Sequence, residues 1–161
     1  MAGDILWKER AIATITSTGA SATNLSAVSA GADIDFRAAG GNADDETGVF
    51  ELTCQWGVIG SIAAGTIIAD LFLVPKMDGT NASQQLDTTA GASYIPFTCR
   101  VGGFIAAKVA TANTDTKFIS NTLEGIPLLP LLYTPYILNR SGQTIAANWT
   151  LKLISARHQY T

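Results

Sequence analysis

A chain of 161 residues is long enough to bury on the order of 70% of its unfolded surface, so a single domain can hold a core without disulfides or metal. Charged residues make up 14% of it and apolar residues 47%, with 15 glycines and a net charge of −3 at pH 7. Lysines and arginines are scattered, which excludes the basic footprint of a nucleic-acid binder, and the apolar excess leads us to expect that a partner covers part of the surface.

The first ten residues join Ile5-Leu6-Trp7 to Lys8-Glu9-Arg10 and show no sustained period. The apolar triplet has no basic stretch before it and is too short for a signal peptide or a membrane span. This segment, residues 1–10, reads as an extended N-terminal arm ahead of one domain over 11–161. A loose Trp7 would be costly, so it is expected either to tuck under the domain or to dock on a neighbour.

Residues 11–17 form a plausible first strand, and the Ser, Thr, Ala and Gly-rich stretch that follows, through Gly31, reads as loop. Asp33 to Ala38 alternates again, with Ile34 and Phe36 inward. The acids Asp44, Asp45 and Glu46 lack the alternating oxygen ligands of an EF-hand and read as a solvated turn. The clearest internal strand comes next: Phe50, Leu52, Cys54 and Trp56 point one way, Glu51, Thr53 and Gln55 the other. Thr66 to Pro75 is apolar on both faces except at Asp70, so it is expected to be covered on both sides or to meet another subunit.

Lys76 to Ala92 is polar, with little apolar bulk, and reads as a long exposed loop. A strand resumes at Tyr94 to Val101, Gly102-Gly103 mark a bulge or corner, and Thr116 to Leu123 is a further strand. Leu131 to Tyr160 reads as a long antiparallel hairpin: Leu132 to Leu138 is aromatic and β-branched, Asn139-Arg140-Ser141-Gly142 supplies turn chemistry, and Ile145, Ala147, Trp149, Leu151 and Leu153 fall on one side. No stretch carries a capped apolar stripe of helical period. The expectation is an all-β antiparallel sandwich of about eight strands, of jelly-roll type, with the N-terminal arm outside it.

The catalytic signals are weak. His158 is the only histidine and lies near the C-terminus, so neither a multi-histidine metal site nor a Ser-His-Asp triad can be assembled around it. The pairs Asp33 with Asp35 and Asp44 with Asp45 could serve a glycosidase only across a cleft that nothing else in the sequence suggests. Neither glycine pair precedes a helix with the Lys-Ser or Lys-Thr of a phosphate loop. Cys54 and Cys99 read as buried thiols in preference to a disulfide across the sandwich. We therefore expect no enzyme, no cofactor and no metal.

The short arm ending in Trp7-Lys8-Glu9-Arg10, the Gly, Ala, Ser and Thr-rich all-β body and the closing pattern Tyr136-Ile137-Leu138-Asn139-Arg140-Ser141-Gly142-Gln143-Thr144-Ile145 resemble the jelly-roll decoration, or cement, proteins of tailed-bacteriophage heads. The resemblance implies a virion protein on the capsid surface, assembled in the bacterial cytoplasm, that binds the major capsid protein between capsomers and reinforces the shell, commonly as a dimer or trimer, with no nucleic acid or membrane partner. The arm supplies the expected shell contacts, Ile5, Leu6, Trp7, Lys8 and Arg10, with Trp7 as anchor. Asp78, Gly79 and Asn81 mark the expected outward loop. The alternative is a sandwich binding module of a phage tail or cell surface that recognises carbohydrate or a receptor. A jelly-roll subunit building the shell itself is disfavoured by the lack of a basic arm for the genome.

Overall fold

The computed structural model describes residues 5–9, 12–18, 28–37, 45–54, 62–77, 99–106, 118–145 and 148–160, with side chains except at 5–9, 28–29, 118–119 and 158–160. Ten strands fall within these segments, and no α-helix does. They are β1 (Ile5–Glu9), β2 (Ala13–Thr16), β3 (Val28–Ala30), β4 (Ile34–Asp35), β5 (Thr47–Cys54), β6 (Ile67–Lys76), β7 (Arg100–Ile105), β8 (Phe118–Pro127), β9 (Leu132–Asn139) and β10 (Thr150–Tyr160). One sheet runs β1-β10-β5-β8, with β2 also on β10; the other runs β3-β9-β6-β7, with β4 also on β9. Every pairing between them is antiparallel. The expectation of an all-β, sandwich-like chain therefore holds.

The first sheet follows the period of its sequence. Across its inner face the register sets Ile15 beside Leu151 and Leu52, and Ala13 beside Leu153, Phe50 and Leu123. Its outer face carries Thr14, Lys152, Glu51 and Thr122 in one row, with Lys152 Nζ 3.2 Å from Glu51 Oε1. That exposed cross-strand pair contributes a few tenths of a kcal/mol, roughly 0.2–1. Where β5 bulges against β8 between Glu51 and Thr53, the Leu52 amide donates instead to Ser120 Oγ at 3.0 Å. Thr53, expected on the wet face, is buried beside this bulge.

The second sheet is covered on both faces. In β6 every residue from Ile68 to Val74 is buried, and in β9 all eight are. Leu71, Leu73, Tyr133 and Ile137 join the central core, while Phe72, Val74, Tyr136 and Leu138 make a second apolar cluster on the opposite face. The doubly apolar run is thus buried within this chain and needs no second subunit to cover it.

The two sheets are stitched along both edges. On one side Ser17 bridges Gly31, the Thr18 amide donates to Ala30 O at 2.9 Å and the Ala32 amide to Thr16 O at 2.9 Å. On the other, Ala106 bridges Ser120 and the Ile105 amide donates to Asn121 Oδ1 at 2.6 Å. The first seam is tight enough to need a glycine: a Cβ on Gly31 would lie 2.8 Å from Trp149 Cη2 and 3.0 Å from Pro135 Cγ. Trp149 is fully buried and cannot yield. Gly31→Ala is therefore expected to cost about 1–3 kcal/mol in urea unfolding by overpacking, and an unchanged midpoint would show that the seam opens freely.

Three expectations are corrected. Residues 131–160 are not a hairpin, because β9 and β10 lie in different sheets and do not pair with each other. The turn at Asn139 sends the chain across the end of the sandwich, where Ile145 and Trp149 are fully buried before β10 begins. The stretch before Gly31 is not all loop, since β3 pairs with β9 there. Asp45 is not solvated; it is 3% exposed and accepts a hydrogen bond from Ser155 Oγ on β10. Ile34 and Phe36 do point inward, and Phe36 meets Tyr133 edge-to-face at 5.8 Å.

Cys54 and Cys99 form no disulfide. Burial pushes the Cys54 thiol from an ordinary 9.0 up to about 12, and burial likewise raises Tyr133 and Tyr136. A raised value favours the neutral form in the folded state. The stability it confers is complete below about pH 9 and declines as pH rises toward about 12, where the unfolded chain ionises first. We expect the unfolding midpoint to fall across that window and to fall less steeply in Cys54→Ala; equal slopes would assign the loss to the tyrosines.

Candidate functional site

The site with the most unusual chemistry is built around Asp70, the one charged residue in the buried run of β6. Strand alternation from Leu73 backward puts Asp70 on the outer face, beside Phe72. A bulge against β7 between Ile67 and Ala69 then resets the alternation, so Ile68 turns into the core while Ile67 stays outside with Asp70.

Two arginines close on this carboxylate. Arg100 Nη2 donates to Asp70 Oδ1 at 2.7 Å, and Arg140 Nε donates to Oδ2 at 2.9 Å. Arg100 opens β7, which pairs Gly103 with Asp70 and shifts register so that Arg100 faces Phe72. Gly103 leaves the room: a Cβ there would lie 3.2 Å from Asp70 Oδ1 and 3.3 Å from Arg100 Nη2.

Arg140 is placed by the turn that ends β9. Its amide donates to Ile68 O at 2.9 Å. Fully buried Asn139 accepts from the Ser141 amide at 2.9 Å and Ser141 Oγ at 2.6 Å, and donates through Nδ2 to Gln143 O at 2.5 Å. Gly142 takes the positive φ of 74° that completes the turn.

The three groups border an open hollow of about 560 Å³ together with Thr66 and Ile67. The Asp70 side chain is only 3% exposed, whereas those of Arg100 and Arg140 are 38% and 45% exposed. A buried acid needs charged partners to offset its desolvation. Here it has two, which leaves one positive charge in excess, and both cations face the solvent.

At the other end of the same face, Asp33 takes Lys76 Nζ at 2.6 Å and Thr134 Oγ1 at 2.7 Å. The cluster Phe72, Val74, Tyr136 and Leu138 belongs to the same outer face of β6 and β9. A smaller hollow of about 280 Å³ lies where Arg100, Cys99 and Val101 meet Ile126, Pro127 and Tyr133. Among the described residues, no three His, Cys, Asp or Glu side chains gather to hold a metal ion.

Of the residues singled out in the sequence, Ile5, Leu6, Trp7 and Lys8 lie on β1, in register with Tyr160, Gln159, His158 and Arg157 of β10. The arm is thus tied to its own domain as a strand at the end of the first sheet, away from the Asp70 hollow on the second. Arg10, Asp78, Gly79 and Asn81 lie outside the described residues. The Asp70 site was signalled only by a lone acid in an apolar run; nothing local ties it to Arg100 or Arg140, 30 and 70 residues away. Compared with protein-family models, curated proteins and solved structures, the chain matches none.

Proposed function

We propose that this protein is a non-enzymatic component of a phage virion, binding the outer surface of the capsid between capsomers and stabilising the shell as a decoration protein of jelly-roll type. The observation that carries the reading is the strand order. The sheets run β1-β10-β5-β8, with β2 beside β1 on the same side of β10, and β3-β9-β6-β7, with β4 beside β3 on the same side of β9. The ten described strands thus fill eight positions, and the chain changes sheet at β2–β3, β4–β5, β5–β6, β7–β8, β8–β9 and β9–β10. Eight strand positions alternating between two sheets in this way are what two Greek keys wrapped into a jelly roll require. This agrees with the family that the arm and the pattern from Tyr136 to Ile145 resemble.

The major capsid protein is the partner, and copies of the chain associate as a dimer or trimer. As the last strand of its sheet, β1 offers Ile5, Leu6, Trp7 and Lys8 at an edge that has β10 on one side and, among the described residues, no strand on the other. An edge of this kind can take up another chain. Arg10 follows directly and can pair with shell acids.

The test is to add purified protein to empty shells of the virus that encodes it. We expect saturable binding at a fixed number of copies per shell, a higher temperature of shell opening, and reduced occupancy for Trp7→Ala with the domain still folded. Washed shells without the protein, and virions carrying it on the tail, would favour the receptor-binding module instead.

A further inference from the structure

We propose that the hollow bounded by Arg100, Asp70 and Arg140 recognises a carboxylate side chain on an acidic, partly apolar segment of a protein partner. The site goes beyond the capsid reading and holds whether or not that partner is a shell. Three observations carry it.

A guanidinium has five N–H donors. Arg100 spends Nη2 on Asp70 and Arg140 spends Nε, and neither guanidinium forms another hydrogen bond among the described residues. The remaining donors belong to cations that are 38% and 45% exposed, while the acid between them is 3% exposed. An approaching anion therefore meets donors, with the existing carboxylate behind them.

Asp70 also fixes both forks before any ligand arrives. Arg100 is held through the bulged β6–β7 pairing and Arg140 through its amide bond to Ile68 O at 2.9 Å, so little side-chain freedom remains to be lost on binding. The ordered forks suit the planar, bidentate geometry of a carboxylate.

Charge and shape choose among anions. With two cations and one acid the excess is a single positive charge, which matches one carboxylate, and Asp70 opposes a doubly charged phosphate. The opening, about 560 Å³, is larger than a lone small ion needs, and Ile67 on its wall is 46% exposed. Ile105, its register partner on β7, is 36% exposed. These two side chains offer an apolar seat next to the charged one, which is why a polypeptide segment with both characters is the ligand.

The probe is a short blocked peptide of alternating aspartate and leucine, with an asparagine-leucine peptide of equal length as control, titrated into the full chain by calorimetry. We expect the acidic peptide to bind, the control to bind about tenfold more weakly or worse, and affinity to fall as salt rises. Arg140→Gln should weaken binding about tenfold with an unchanged circular dichroism spectrum. Ile67→Glu, which places a like charge on the wall and leaves both ion pairs in place, should abolish it. Equal binding of the two peptides, no binding at millimolar peptide, or unchanged affinity in both variants would overturn the proposal. Displacement of the peptide by equimolar acetate or inorganic phosphate would also overturn it, by assigning the hollow to a free small anion.

Discussion

Trp149→Ala is expected to lower the unfolding free energy by about 4 kcal/mol, within the range of about 3–5 for removing a large aromatic from a core. Among the described residues, Trp149 is the largest side chain that is completely buried. It sits just before β10, packs where a Cβ on Gly31 would collide with it, and its carbonyl accepts from the Ser17 amide at 3.2 Å. The indole therefore fills the corner where β2, β3, β9 and β10 meet. That corner is stitched by backbone hydrogen bonds and can collapse only a little onto the void. For a domain of this size the melting temperature should drop by roughly 8–16 °C. Trp149→Phe, which leaves a smaller hole, should lose less than half as much. A loss under about 1 kcal/mol for the alanine variant would mean that the corner is loosely packed and that Trp149 is no keystone.

The second large effect concerns the charge cluster, and its size depends on which group is left behind. Replacing both arginines, Arg100→Gln with Arg140→Gln, strands a carboxylate whose side chain is 3% exposed. Breaking a buried pair in this way costs about 3–5 kcal/mol, because the remaining charge has neither water nor a counter-ion. Asp70→Asn should cost less, about 1–2 kcal/mol, since the cations it releases are already 38% and 45% exposed and can hydrate. Arg140→Gln alone leaves Asp70 with Arg100 and should cost about 1 kcal/mol, so the double variant must exceed the sum of the singles. Urea unfolding of the double variant, of Arg100→Gln and Arg140→Gln singly, and of Asp70→Asn under one condition decides it. If the double variant is no worse than Asp70→Asn, water reaches the carboxylate and the cluster is a surface feature.

The same cluster separates what is local in this chain from what is not. Alternation placed Phe50, Leu52, Leu151 and Leu153 on the buried face correctly, because side chains two apart along a strand share a face. It also put Thr53 on the wet face and started the last strand at Thr144, whereas Thr53 is buried and β10 begins at Thr150. The apolar run of β6 implied cover on both faces, and it has it. Alternation carries no record of which strand lies alongside. An apolar run, a polar turn with glycine and a second run fit a hairpin and a crossover between sheets equally well. For β9 and β10 the crossover was chosen by the long-range pairing of β9 with β6 and of β10 with β5.

Composition and period alone pointed to β-strands around an apolar core, to a β6 run apolar on both faces, and to Asp70 as an acid in an apolar setting, whereas the burial of all eight residues of β9 was not legible in them. Tertiary structure decided that the Ile5–Glu9 segment is a strand on β10, that Asp45 is buried against Ser155, and that Arg100 and Arg140 converge on Asp70. The division follows from range. Which face a residue occupies is set by neighbours one or two positions away, whereas a counter-ion for a buried charge can come from any part of the chain that the sheet order brings within about 3 Å.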